Sequence, residues 1–170
     1  MEKTDRGAVL KRIAVLVAPI VVALSFASAA LADSPHFVRA SASGPADDGS
    51  LAVSWKEAGL GTNQLVDYVA SADASASFAC INGGGNHPQA ANKETVNGPV
   101  SAEGTFASGK NGQVTASLTV LPPGPGGFGC PNGQRLVLVA VSYTNVAISD
   151  TSNGVAEPVA GTFARTFFDL

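Results

Sequence analysis

Charged and metal-ligating side chains are scarce in this chain. Only 14% of its 170 residues are charged, and it contains two histidines, two cysteines and one tryptophan. A nucleic-acid-binding surface needs clustered cations that displace counterions from phosphate. Because the basic residues after position 32 are scattered, we expect no nucleic-acid partner. They are Arg39, Lys56, Lys93, Lys110, Arg135 and Arg165.

The supply of metal ligands is equally small. A zinc site built on the two cysteines would need further ligands at suitable spacing, and the only histidines are His36 and His87. Calcium takes six to eight oxygen ligands. The stretch Asp47-Asp48-Gly49, even with Asp67 or Asp73, lacks the spaced acidic ladder of calcium loops and is better interpreted as a turn. We therefore expect no metal and no cofactor.

No recognised catalytic set is present in the sequence. The chain lacks a G-x-S-x-G nucleophile motif, and nothing places His87 beside a serine and an aspartate, as a triad requires. A glycosidase needs two carboxylates across a cleft, and no two glutamates are paired by position. We therefore predict no catalytic residue and a non-enzymatic role. The glutamates of the predicted domain are Glu57, Glu94, Glu103 and Glu157.

The first 32 residues have the three-part pattern of a secretory signal peptide. Basic side chains precede the uncharged segment 13–32, which is strongly apolar at first and ends in Ala30-Leu31-Ala32, an A-x-A cleavage pattern. The segment is long enough to span a bilayer, so retention as an anchor is the alternative. Pro19 and the small residues favour cleavage. We expect a secreted protein that starts near Asp33 and has no membrane attachment after cleavage.

Residues 33–170 have the size of one ordinary domain. They carry six basic and eleven acidic residues, which gives a formal charge of −5. Low charge and abundant Gly, Ala, Ser and Thr are typical of extracellular β proteins. In an exported chain, the isolated pair Cys80 and Cys130 predicts a disulfide. The alternative, a metal-binding or nucleophilic pair, lacks partner residues.

Apolar and polar residues alternate over several short segments, as in half-buried strands. In one segment Leu51, Val53 and Trp55 share a face, and in another Phe78 and Cys80 do. Segment 64–70 is compatible with either a strand or a short helix. The predicted strands span residues 37–43, 50–57, 74–81, 99–108, 113–121, 135–148 and 161–168.

The connections between these segments complete the predicted fold. Asn111-Gly112 predicts a hairpin between segments 99–108 and 113–121, residues 82–99 read as a long loop, and the apolar run 135–141 predicts a central strand. With no helix after the signal-peptide helix, the pattern predicts an all-β fold of seven or eight strands. We expect signal peptide 1–32 and one immunoglobulin-like or Greek-key β-sandwich domain over 33–170. A barrel is the alternative.

Two loops offer candidate ligand contacts. Segment 82–89, NGGGNHPQ, has three consecutive glycines that let backbone approach a ligand, with Asn86 and His87 as polar contacts. The alternative is a plain flexible connection. Phe128 lies in the Gly/Pro-rich loop 122–134. It is either an exposed contact aromatic or folded back onto the core beside Cys130.

Several segments resemble known families. The export signal and the segments SPHFVRASAS, KEAGLGTNQLVDYVASADA, CINGGGN and GGFGCPNGQRLVL resemble a family of small secreted actinobacterial-type proteins of unknown function. Asp48-Gly49 before a strand, and Asn111-Gly112 followed by ASLTV, resemble the enediyne chromoprotein apoproteins. Those proteins are secreted, acidic, immunoglobulin-like sandwiches that carry a small molecule in a cleft, typically with two disulfides where this chain has one. The likeness implies a carrier but transfers no binding residue.

Together these features predict an exported, non-catalytic β-sandwich with a binding or structural role outside the cell. Its partner would be an extracellular ligand or protein of unknown identity. A small-molecule carrier with a cleft between loops is the second hypothesis. A secreted hydrolase with an unrecognised site is the third.

Overall fold

Apolar residues at every second position produce eight β-strands. A computed structural model describes residues 34–82 and 92–169. The predicted signal peptide, Asn86 and His87 lie outside the described residues. In the described part there is no helix, and therefore none that could cross a membrane. The strands are β1 (His36–Ser43), β2 (Leu51–Ala58), β3 (Leu65–Asn82), β4 (Lys93–Ala107), β5 (Val114–Val120), β6 (Gln134–Asp150), β7 (Val155–Pro158) and β8 (Phe163–Thr166).

The strands form two antiparallel sheets that pack as a β-sandwich, as predicted. One sheet has three strands in the order β1-β2-β5. The other has five, in the order β4-β3-β6-β7, with β8 also paired to β6. Strand β6, which contains the apolar run 135–141, therefore lies inside its sheet, as its composition predicts.

The core lies between the two sheets and is built from their alternating inner faces. Leu51, Val53 and Trp55 of β2 are buried, and Val114 and Val120 of β5 are buried beside them. Aromatic rings join the layers, because the Trp55 ring lies 4.7 Å from that of Tyr68 on β3 and 5.3 Å from that of Phe106 on β4, between centroids. Such offset and edge-on contacts stabilise a core beyond simple area burial.

Strand β3 is longer than the sequence pattern predicts. The ambiguous segment 64–70 and the predicted strand 74–81 are parts of one continuous 18-residue strand. Its inner positions are buried without interruption from Val66 to Cys80. A bulge in β6 keeps this alternation in register, since Asn145 adopts φ 51° and its Nδ2 donates to Asp73 Oδ2 at 2.8 Å.

Two predicted connections are wrong. The long loop 82–99 is an error because β4 already begins at Lys93 and pairs with β3. The predicted hairpin between segments 99–108 and 113–121 is also wrong. Residues 109–112 do form a turn. This turn joins the two sheets, because β4 pairs with β3 and β5 pairs with β2. Alternation identifies an apolar face but not its packing partner.

Side-chain hydrogen bonds explain why this turn crosses between sheets. The hydroxyl of Ser108, the residue before the turn, donates to the Gly61 carbonyl oxygen at 2.7 Å and accepts from the Gln64 amide at 2.9 Å. These bonds hold the end of β4 against the β2–β3 connection. Near the C-terminus, the predicted strand 161–168 is shorter in the structure, and β7 was not predicted.

The predicted disulfide between Cys80 and Cys130 is confirmed. It ties the end of β3 to the loop between β5 and β6, with a Cα–Cα distance of 5.5 Å. Cys80 is fully buried, and the bond encloses 50 residues of sequence separation. A second anchor is the Tyr143 hydroxyl, which donates to the buried Gly49 carbonyl oxygen at 2.7 Å and holds the β1–β2 loop against β6.

Removing the disulfide should destabilise the sandwich. For the Cys80→Ser/Cys130→Ser double variant we expect the free energy of unfolding to fall by about 2–4 kcal/mol, because the unfolded chain regains the freedom of a large loop. Urea denaturation of the variant and of the oxidised wild type measures this difference, and intact mass with and without reductant verifies the bond. Equal stability of the two proteins would contradict the expectation.

The two tyrosines of the chain form a matched pair for testing the second anchor. Tyr143→Phe should lower the free energy of unfolding by about 1–3 kcal/mol, because the buried Gly49 carbonyl loses its donor. Tyr68→Phe should be less destabilising, since the Tyr68 hydroxyl has no hydrogen-bond partner in the described part of the chain. Denaturant unfolding of both variants checks this order, and the reverse order would refute it.

Candidate functional site

A cleft of about 470 Å³ opens where β2 ends, β3 begins and β6 ends. We call it the end cleft. One side is the β2–β3 connection with the start of β3, and the other is the turn after β6. Its apolar and polar lining residues are Pro35, Gly59, Leu60, Gly61, Gln64, Leu65, Val66, Ser152 and Asn153.

Glycines shape the β2–β3 side of the end cleft. Gly59 has φ +80°, and a Cβ there would collide with the carbonyl of Ser34, so only glycine lets the N-terminal segment lie against this loop. The loop is also held from the β4–β5 turn, because the Leu60 amide donates to the Gly112 carbonyl oxygen at 3.1 Å. This side is therefore formed without a ligand.

The turn after β6 is held equally well. The Asp150 carboxylate accepts hydrogen bonds from the Asn153 backbone amide at 2.9 Å and from Asn153 Nδ2 at 2.6 Å. The Ser152 hydroxyl accepts from the Asp67 amide at 2.9 Å, which ties the turn to β3. Both walls of the end cleft thus have fixed positions in the fold.

The end cleft combines apolar surface with amide groups. Leu65 is 74% exposed, more than any other large hydrophobic side chain in residues 34–82 and 92–169, whereas its neighbours Leu60 and Val66 are buried. The amides of Gln64 and Asn153 stand beside this apolar surface and can donate and accept hydrogen bonds. An apolar body with a few polar groups is the usual character of a ligand-binding cleft.

A buried acidic cluster adjoins the end cleft along three strands. It consists of Glu57, Tyr68 and Asp150, whose exposed fractions are 0%, 1% and 1%. Each of them is two positions along the chain from a residue that lines the cleft. Glu57 is two residues from Gly59, Tyr68 from Val66, and Asp150 from Ser152. In the described part of the chain, both Glu57 carboxyl oxygens and the Tyr68 hydroxyl lack a hydrogen-bond partner, as does Trp55 Nε1.

Burial dominates the titration of this cluster. It raises the pKa of Glu57 to about 7, an effect that the Tyr68 hydroxyl opposes and the nearby Asp150 carboxylate reinforces. His36 lowers the pKa of Glu57 slightly in return. Burial also raises the pKa of Tyr68 far above its usual range, and the neighbouring Glu57 carboxyl is the second cause of this shift. Glu57 is therefore a protonated acid below neutral pH.

This cluster brings perturbed titratable groups together, but inside the core. A catalytic acid or base must come within hydrogen-bond reach of the substrate. Glu57 is fully buried, so its carboxyl does not face the end cleft as an accessible catalytic group. The reaction available to the Glu57 carboxyl in this arrangement is to gain or lose a proton, which changes the charge inside the core.

Of the residues predicted as ligand contacts, Phe128 is described by the structure, and it does not line this cleft. Asn86 and His87 lie outside the described residues, so their role stays a prediction. Phe128 is half-buried and packs against the core, which is the folded-back alternative. It lies beside Cys130 and hence near Cys80, roughly 45 Å along β3 from Val66. Its ligand role also stays a prediction.

The aspartates considered for calcium each have separate partners. Asp47 pairs with Arg165 at 2.7 Å, Asp67 accepts from the Thr105 hydroxyl at 2.5 Å, and Asp73 accepts from Asn145. In residues 34–82 and 92–169, no group of three or more histidine, cysteine or acidic side chains is arranged to hold a metal ion.

The end cleft was missed at the level of sequence. Residues 59–63, GLGTN, read there only as a break between strands. The sequence feature that could have indicated this cleft was Leu60 between Gly59 and Gly61, followed closely by the apolar Leu65. Comparison with known proteins finds no matching family model and no significant match among curated proteins or solved structures. The two family resemblances of the sequence therefore stay predictions.

The pKa of Glu57 predicts a specific pH dependence of stability. Because the folded pKa is raised from 4.5 to about 7, the folded state holds a proton that the unfolded state releases between these values. The free energy of unfolding should therefore fall by up to about 3 kcal/mol as pH rises from 4.5 to 7, and stay level above that range.

Denaturant unfolding at several pH values measures this slope. Glu57→Gln keeps the shape of the protonated acid and should remove this component of the pH dependence. Glu103→Gln, on the exposed face of β4, is the control and should keep it. If Glu57→Gln and wild type show the same slope between pH 4.5 and 7, the assignment to Glu57 is wrong.

Proposed function

We propose that this protein is exported and acts outside the cell as a non-catalytic binding module, with the end cleft as its ligand site. The signal-peptide pattern of residues 1–32 supports export. The Cys80–Cys130 disulfide supports it too, because such bonds persist in oxidising compartments.

The observation that carries the proposal is Leu65, exposed at the edge of a preformed cleft. A side chain of this size loses favourable burial when it stays in water, about 25 cal/mol for each Å² of apolar surface. A ligand with an apolar part would cover Leu65, while its polar groups would pair with Gln64 and Asn153. The ligand class is thus a small amphiphilic molecule or an apolar side chain presented by a partner.

Preorganisation of both walls supports binding as the role of the cleft. The Ser152 and Asn153 side is tied to Asp67 and Asp150, and the loop at Leu60 is tied to Gly112. A ligand therefore meets loops that are already ordered, which lowers the entropy lost on binding.

A small-molecule carrier is the second candidate, and the volume of the end cleft favours it. About 470 Å³ falls within the range of roughly 300–1,000 Å³ typical of small-molecule sites. A carrier would hold its cargo in this open cleft and release it elsewhere. The hydrolase hypothesis gains less support, because the perturbed carboxyl of Glu57 is sealed in the core.

Two exposed leucines give a matched test of the ligand site. Leu65→Glu places a charge at the end cleft, and Leu121→Glu makes the same change at a leucine that is 61% exposed but does not line the cleft. With the neutral dye Nile red as probe, Leu65→Glu should weaken binding at least about tenfold, or 1.4 kcal/mol. Leu121→Glu should bind like wild type.

Fluorescence titration gives the affinities, and NMR shift changes at Leu60 and Asn153 locate the dye. Binding that is unaffected by Leu65→Glu, or shift changes confined to other parts of the sandwich, would count against the end cleft as the ligand site. Unfolding curves of both variants confirm that each protein is folded during the titration.

A further inference from the structure

The three-stranded sheet turns a polar face away from the core. On β2, Trp55 is buried in the sandwich, whereas Ser54 and Lys56 are only half-buried, since successive residues of a strand point to opposite faces. An open cleft of about 450 Å³ lies on this polar face. Its polar lining residues are Arg39, Ser41, Ser54, Thr115 and Ser117. None of them lines the end cleft, so this surface is separate from the proposed ligand site.

The register of β1, β2 and β5 arranges the polar face in rows across the sheet. Each row has one residue from each strand, and neighbours within a row have Cβ atoms about 5 Å apart. The first row is Arg39, Lys56 and Thr115, and the second is Ser41, Ser54 and Ser117. We call these two rows the cationic face. They contain two positive charges, four hydroxyl groups and no acidic residue.

Arg39 and Lys56 bring two like charges together on this face. They are direct register partners, and like charges in this position repel each other. Within residues 34–82 and 92–169 the single ion pair joins Arg165 to Asp47, so no described carboxylate neutralises either cation of the face. An anionic group that contacts both cations replaces their repulsion with charge-assisted hydrogen bonds.

A β-bulge places Arg39 beside Lys56. Phe37 and Ala40 both pack against the core although they are three positions apart, which strict alternation does not allow. The register shift between Phe37 and Arg39 identifies Val38 as the extra residue. Val38 and Arg39 are therefore both exposed, and the bulge turns Arg39 to the side of the sheet that carries Lys56.

We propose that the cationic face binds an acidic polysaccharide, as a second site distinct from the end cleft. The sulfate, phosphate or carboxylate groups of the chain pair with Arg39 and Lys56, and the planar guanidinium offers them two parallel donors. Sugar hydroxyls exchange hydrogen bonds with the serine row. The hydroxyls of these serines have no hydrogen-bond partner among the described residues and are available for such contacts.

The shape and chemistry of the face favour a polysaccharide over an acidic protein segment. The two rows extend across all three strands to both edges of the sheet, so an extended chain can cross it without meeting a wall. An acidic peptide would supply carboxylates for the two cations, but it presents few hydroxyls to the serine row. A polysaccharide supplies both kinds of group at close spacing.

Dextran sulfate and uncharged dextran are matched probes for this proposal. Residues 33–170 carry a formal charge of −5, so attraction of a polyanion requires a local cationic site. In calorimetric titrations at about 0.15 M salt, dextran sulfate should bind and dextran should not. Equal binding of the two probes, or binding of neither, overturns the proposal. Poly-glutamate that binds as tightly as dextran sulfate assigns the face to acidic proteins instead and also overturns it.

Single charge removals test the two cations. Arg39→Gln and Lys56→Gln should each weaken the binding of dextran sulfate about tenfold, as expected for the loss of a charge-assisted contact. Lys93→Gln removes the same charge from an exposed position on β4 and should bind like wild type. If Lys93→Gln weakens binding as much as Lys56→Gln does, the attraction is non-specific and the site assignment is wrong.

NMR shift changes in the wild type locate the probe without any variant. Addition of dextran sulfate should shift the amide signals of Ser54 and Ser117 and leave that of Leu65, at the end cleft, unchanged. Shift changes confined to the end cleft or to the five-stranded sheet overturn the proposal. This map remains decisive even if a variant fails to fold, which unfolding curves of each variant would reveal.

Discussion

The alternation of buried and exposed residues along β3 is the constraint on which the rest of the molecule depends. This strand pairs with β4 on one side and β6 on the other, and its inner face runs from Val66 to Cys80. The same face supplies a wall of the end cleft, the Tyr68 hydroxyl of the acidic cluster and one half of the disulfide. A slip of one residue would turn all of these groups to the outer face. Two irregularities in the pairing of β3 with β6, one at Asn145 and one opposite Ser77 and Phe78, accommodate this register.

Much of the fold could be predicted because period-two alternation is a local property. It identified the inner faces of β2 and β5 and the sandwich class, and the apolar run 135–141 identified the interior position of β6. The disulfide followed from the number of cysteines and the predicted compartment. Pairing partners could not be predicted in the same way. Asn111-Gly112 forms a turn in either arrangement, and it is Ser108, bonded to Gly61 and Gln64 more than 40 residues away, that places the turn between sheets.

The end cleft could not be predicted from the sequence for the same reason. Its walls depend on contacts between distant parts of the chain, such as Gly59 against Ser34 and Leu60 against Gly112, which no local pattern encodes. The acidic cluster is harder still to foresee. Glu57 occupies an inward position of an alternating strand, after Val53 and Trp55, where a carboxylic acid is uncommon. Sequence reasoning treated it as one of several unpaired glutamates. A polar residue in an otherwise apolar inner face was the available clue.

Strand β4 shows how the edge of the larger sheet is protected against aggregation. It is an outer strand of the five-stranded sheet among the described residues, and Pro99 stands near its middle, opposite Asp73. Long outer strands tend to recruit strands from other molecules, which leads to aggregation. Proline has no amide hydrogen and interrupts the row of donors that such recruitment needs. Together with the charges of Lys93, Glu94 and Glu103, Pro99 lets a 15-residue strand face the medium without becoming a template for fibres.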